Sequence, residues 1–135
     1  MDFNSSLRIA ATGLHAQTAR MRVIAENLAN ADSVARTAGG EPYRRRVPTF
    51  KSEVDRETGA AGVKIESIQS DKSAFQRVYR PGSPAADAKG YVQMPNVNGL
   101  VEAADMKAAQ RSYEANLSAI EAAKSLTMRT IDLLK

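Results

Sequence analysis

The sequence predicts a mainly α fold: long N- and C-terminal helices pairing as a coiled coil, joined by a loop-rich insert with short β-strands. Three observations carry that expectation. Leu7, Leu14, Met21 and Leu28 recur at intervals of seven within a stretch that contains no proline. Residues 99–135 form a second proline-free stretch with an apolar stripe of its own. All five prolines fall between the two, so composition shifts sharply near Ala31 and again near Gly99. Three segments follow: an N-terminal helix over 1–30, an insert over 31–98 and a C-terminal helix over 99–135.

In the first segment, Ala11, Thr18 and Ala25 each lie four residues after a member of the large stripe, giving a narrow seam of large and small side chains. Ser5 or Ser6 can cap its start, and Asn30 tolerates the left-handed conformation that often ends a helix. A helix of about 24 residues, roughly 36 Å long, is expected. The insert alternates at Val63-Lys64-Ile65-Glu66 and is β-prone at Phe75-Gln76-Arg77-Val78-Tyr79, ahead of a turn at Pro81-Gly82-Ser83-Pro84. Residues 36–62, with their glycines and Pro42 and Pro48, read as loop. In the last segment Asn98 or Gly99 serves as N-cap, and Glu102 and Asp105 sit near the positive end of the helix dipole. Met106, Tyr113, Ile120 and Leu134 share one stripe there, with Leu117 and Ile131 beside it. Ala115, Ala119, Ala122, Leu126 and Leu133 widen the apolar face beyond what one partner helix covers. Stripes that run to both chain ends call for other subunits, with folding and assembly coupled.

Composition removes most enzyme chemistry. No cysteine is present, which excludes disulfides, thiolate metal sites and a thiol nucleophile, and His15 is the only histidine. An interfacial or polar helix position suits His15 better than catalysis, because no second imidazole completes a site. Gly39-Gly40 lacks the Lys and Ser or Thr of a phosphate-cradling loop. No catalytic residue, cofactor or metal is therefore expected. Net charge is +4, from 19 Lys and Arg against 15 Asp and Glu, and the excess is spread along the chain. Nucleic acid is not an expected partner, since Arg44-Arg45-Arg46 has no interleaved aromatics. No apolar run approaches the roughly 20 residues of a membrane span. Met-Asp-Phe-Asn-Ser-Ser has no basic region followed by an apolar core, so a cleaved secretory signal is not expected.

Met21-Arg22-Val23-Ile24-Ala25-Glu26-Asn27-Leu28-Ala29-Asn30-Ala31 resembles the N-terminal motif of bacterial flagellar axial proteins. Pro42-Tyr43-Arg44-Arg45-Arg46, then Gly90 to Asn98 (Gly-Tyr-Val-Gln-Met-Pro-Asn-Val-Asn), then Arg111-Ser112-Tyr113-Glu114-Ala115-Asn116 are similar to successive signatures of the proximal rod branch of that family. The likeness runs along essentially the whole chain. It departs from the usual pattern at Ser83 and at Asp32-Ser33-Val34-Ala35.

This resemblance implies a structural subunit of the basal-body proximal rod. Its partners are other rod proteins and copies of itself, its location is the rod that crosses the periplasm, and its route is the flagellar type III export apparatus. The implied task is to help build the drive shaft that carries motor torque to hook and filament. Under that reading the assembly interface comprises Leu7, Leu14, Met21, Leu28, Asn27, Asn30, Met106, Tyr113, Leu117, Ile120, Leu126, Ile131 and Leu134. Arg44, Arg45 and Arg46 are candidates for bridging to acids on an adjacent subunit. The rival reading is a small helical type III secretion substrate or chaperone that does not polymerise.

Overall fold

A computed structural model describes residues 2–135. Two helices, α1 (Phe3–Ala29) and α2 (Gly99–Leu133), bracket four strands, β1 (Arg46–Val54), β2 (Ala61–Ser70), β3 (Gln76–Tyr79) and β4 (Tyr91–Met94). The strands form two separate two-stranded sheets, β1–β2 and β3–β4. A mainly helical chain with short strands in its middle is thus what the residues build.

Helix α1 begins earlier than the serines suggested. Asp2, not Ser5 or Ser6, is the cap: its Oδ1 accepts the Ser5 N–H at 2.8 Å. That bond holds the Asp2 carboxyl below the usual carboxylate range. Ser5 is buried in the first turn. At the other end Asn30 does not adopt a left-handed conformation, since only glycines have positive φ among the described residues. Its side chain instead donates from Nδ2 to the Glu26 carbonyl at 2.9 Å and accepts from Ser33 Oγ at 3.0 Å, closing the helix through side-chain bonds. Asn98 caps α2, with Oδ1 accepting from the N–H groups of Leu100 (3.0 Å) and Val101 (3.3 Å).

The expected loop over 36–62 is also corrected, because β1 occupies Arg46–Val54. A two-stranded ribbon is all edge, so Pro48 is tolerated there, and the strand needs no alternating apolar pattern when it is mostly exposed. Its turn is built by Asp55, whose Oδ1 accepts from Glu57 N–H (2.8 Å) and Thr58 N–H (3.2 Å), with Gly59 at φ +69°. β3 and β4 pair antiparallel, Gln76 opposite Met94 and Tyr79 opposite Tyr91. The turn at Pro81–Pro84 is present, with Ser83 N–H donating to the Arg80 carbonyl at 3.1 Å.

The chain divides into two compact units. One takes the residues up to Met21, Pro48–Ser67 and Lys107–Lys135. Its buried positions are small: Ala10, Ala16 and Ala109, with Gly13 beside them. A Cβ on Gly13 would lie 2.7 Å from Asn116 Nδ2, so α1 and α2 approach closely there only because residue 13 has no side chain. Gly62 does the same for β2 against α1, where a Cβ would meet Thr12 Oγ1 at 2.7 Å. Thr12 Oγ1 accepts the Val63 N–H at 3.1 Å. Arg8 ties the same helix to the ribbon turn through Asp55 (2.6 Å) and Glu57 (3.1 Å). The other unit takes Arg22–Val47 and Ile68–Met106, and buries Val23, Ile24, Val92 and Met94 around a polar centre.

Candidate functional site

That polar centre is built on Asn27 and Glu102, which are 1% and 0% exposed. Asn27 Nδ2 donates to the Arg46 carbonyl (2.9 Å) and to Glu102 Oε2 (3.3 Å). Its Oδ1 accepts from the Arg46 N–H (3.0 Å) and the Tyr43 hydroxyl (2.8 Å). Every hydrogen-bonding site of this one amide is thereby engaged. Burial pushes the Tyr43 hydroxyl up from its ordinary value, which keeps it a donor.

Glu102 receives Arg45 Nε on Oε1, and Arg45 reaches Asp71 (3.4 Å) and Asp105 (3.5 Å) with its other nitrogens. The bond to Glu102 raises the Arg45 guanidinium above its ordinary value. Asp71 sits below the usual carboxylate range, first because Ser73 donates its backbone N–H (2.9 Å) and then because of Arg45. Asn96 completes the arrangement. Its Oδ1 accepts the Arg45 N–H at 2.7 Å, and its Nδ2 donates to the Asp71 carbonyl at 2.9 Å. No buried side-chain nitrogen or oxygen among the described residues lacks a partner, so the cluster meets the condition under which a buried charge is tolerable.

The structure thus gives the arginine triplet partners within its own chain. Arg44 donates to the carbonyls of Asp71 (3.0 Å) and Ser73 (3.3 Å), with its guanidinium carbon 4.1 Å from the Phe75 ring centroid. Arg46 pairs with Glu26 at 3.2 Å. Glu102, read from the sequence only as a favourable charge near a helix start, is the centre of the cluster. The roles of Tyr43, Asp71 and Asn96 were missed as well. A spacing pattern does not reveal them, because Glu102 meets Arg45 across 57 residues and Asn27 across 75.

The apolar stripe is distributed differently. Leu7, Leu14, Met21, Met106, Tyr113 and Ile120 are half-buried, and Asn30 likewise, while Leu28 and Leu117 are near two-fifths exposed. Toward the end of α2 the side chains open to solvent: Leu126 is 51% exposed, Ile131 46%, Leu133 87% and Leu134 83%. Met128, 53% exposed, lies about 200° around the helix from Leu126, so apolar exposure encircles this end. Exposed apolar side chains gathered at one helix end are of the kind that mark interaction surfaces.

No helix is long and apolar enough to cross a membrane, and no group of three or more His, Asp or Glu side chains among the described residues could hold a metal ion. What the fold offers is two long helices with apolar side chains in solvent, a surface suited to a structural part. Family models agree: one described as flagella basal body rod protein matches residues 7–36, and one described as flagellar basal body rod FlgEFG protein C-terminal matches residues 88–133. The flagellar basal-body rod protein FlgC of Agrobacterium fabrum is 48% identical over 132 residues, covering 98% of this chain and 95% of its own length. FlgC of Salmonella typhimurium is 41% identical (93% and 92% covered), and FlgC of Bacillus subtilis 39% (96% and 97%). The chain belongs to the FlgC family of flagellar basal-body rod proteins.

Proposed function

We propose that this chain is a structural subunit of the flagellar basal-body rod that works through its helices alone. α1 and α2 pair antiparallel as a coiled coil, a reading supported by two cross-helix contacts in matching order: Gly13 against Asn116 and Asn27 against Glu102. In both, the residue numbers change by the same amount along each helix. The paired helices present Leu7, Leu14, Met21, Leu28, Met106, Tyr113, Leu117, Ile120, Leu126, Ile131 and Leu134 to copies of this chain and to other rod proteins, with Asn27 and Asn30 shaping the exit of α1. Arg46, with 44% of its side chain in solvent, and Arg44, with 26%, can bridge to acids on a neighbour, whereas the Arg45 guanidinium, 22% exposed, is engaged by Glu102, Asp71 and Asp105. In the assembled proximal rod the subunit transmits torque toward hook and filament. It leaves the cell through the flagellar type III apparatus without a cleaved signal, to lie in the rod across the periplasm.

The observation that carries this proposal is the apolar end of α2, Leu126 to Leu134, open to solvent in the single chain. Leu126→Asp tests it, because a half-exposed side chain can accept a carboxylate in the monomer but not in a packed interface. The expected outcome is an exported, folded subunit with no rod grown beyond the inner-membrane ring in electron micrographs, and no swimming. Ser83→Ala, in the turn after β3, should swim normally. Intact filaments in the Leu126→Asp strain would overturn the proposal.

A further inference from the structure

The polar cluster does more than satisfy its own atoms. We propose that Asn27 and Glu102 set the register of the α1–α2 pair, and so decide which side chains the paired helices present to a neighbouring subunit. This rests on the antiparallel pairing proposed above and adds a specificity-determining contact to it.

The apolar stripes alone do not fix the register. Leu7, Leu14, Met21 and Leu28 on α1, and Met106, Tyr113 and Ile120 on α2, repeat at the same interval of seven. Sliding one helix by a heptad therefore sets one large apolar side chain where another stood, at little cost. The Asn27–Glu102 bond has no such repeat. A slide of one heptad in one direction puts Asn27 opposite Ala109 and carries Glu102 past the end of α1. The same slide in the other direction sets Asn27 opposite Pro95 and Glu102 opposite Arg20. Either way a carboxylate that is 0% exposed loses its amide partner. A polar pair that is buried and matched in only one alignment selects that alignment against the others.

A second set of bonds keeps Glu102 from following a slide. Arg45, which holds Oε1, is fastened by its own N–H to Asn96 and by its guanidinium to Asp71. Asn27 is fastened to the same strap through both the N–H and the carbonyl of Arg46. Both members of the pair are thus referred to one fixed piece of chain, residues 43–46.

The chain has no cysteine, so disulfide trapping in the purified full-length protein reads the register directly. Three double-cysteine proteins are compared: Gly13→Cys with Asn116→Cys, with Ala109→Cys and with Ala123→Cys, the last two also carrying Asn116→Ala so that the side chain at residue 13 meets no amide. The last two report a slide of one heptad in each direction, since a disulfide closes only where Cα atoms are about 4.4–6.8 Å apart. In the otherwise unchanged protein only the 13–116 bond should form. With Glu102→Leu added, which removes the cross-helix bond while leaving Asn27 its bonds to Arg46 and Tyr43, the 13–109 and 13–123 bonds should rise from absent to a yield comparable with 13–116 at unchanged helical circular dichroism. Glu102→Gln keeps one acceptor oxygen for the Asn27 amide and turns an NH2 group toward Arg45, so 13–116 should stay the major bond with the other two intermediate in yield. Exclusive 13–116 bonding in the Glu102→Leu protein would overturn the register role, as would loss of helical signal in that variant, which would make Glu102 a support of the fold instead. Absence of the 13–116 bond before any change at residue 102 would instead overturn the antiparallel pairing itself.

Discussion

The two compact units hold the same helices in opposite ways. Where Asn27 meets Glu102, the contact is polar, fully bonded and directional. Where Gly13 meets Asn116, it is a matter of clearance, a missing side chain that lets two backbones come close, with Ala10, Ala16 and Ala109 buried nearby. The difference teaches that closeness and specificity are separate properties. Small residues supply the first without side-chain entropy to lose, although Gly13 in mid-helix gives up more backbone freedom than an alanine would. The buried bonds supply directional specificity, and they do so at a desolvation cost that a complete set of partners must offset.

The comparison is broken most severely at Arg45. Arg45→Met leaves the Glu102 carboxylate buried with Asn27 as its remaining donor, and should cost about 3–5 kcal/mol in urea unfolding. A loss below about 1 kcal/mol would mean that the polar unit is held by its apolar residues after all.

On the other side, Gly13→Leu forces a side chain into space already taken by the Asn116 amide. It should cost about 1–3 kcal/mol by the same measurement, partly recovered when Asn116→Ala opens the site. Recovery isolates the steric term, since the second change adds no bond.

Acid sharpens the contrast further. The folded value of Asp71 lies below its unfolded one, chiefly through the Ser73 N–H, so its contribution is present above about pH 4 and is lost as pH falls through the folded value. Asp71→Asn should flatten the decline of the urea midpoint below that pH. An unaltered decline would assign the acid sensitivity to Asp2, Asp55 or Asp87, which are lowered by the N–H groups of Ser5, Glu57 and Tyr91.

The smallest effect is expected at the open end of α2. Leu133→Ser should change the stability of the dilute chain by less than about 0.5 kcal/mol, because 87% of the side chain is already in water. A larger loss would show that the isolated chain buries this end against itself or another copy.

Much of the architecture was legible because it rests on local rules. Proline-free heptads give α1 and α2, Asn98 is a strong cap by its chemistry alone, and alternation at Val63–Glu66 marks β2. β1 was not legible, since Pro48 signals a break and an exposed ribbon carries no burial pattern. Asp2 was passed over for the serines that follow, although an Asp just ahead of the first apolar residue is an equally good cap. The polar cluster was beyond reach for a deeper reason. Arg45 reads as a bridge to a neighbouring subunit and Glu102 as a favourable charge at a helix start, and only the path of the chain between them makes them a pair within one chain.

That separation also has a kinetic consequence. A ribosome delivers Asn27 long before Glu102, which follows 75 residues later. Until then α1 has neither its buried carboxylate nor the arginine that the carboxylate orients, and loop-closure entropy opposes any early substitute. The polar cluster is thus completed late, once more than three-quarters of the 135 residues have been made, and the approach of Gly13 to Asn116 comes later still.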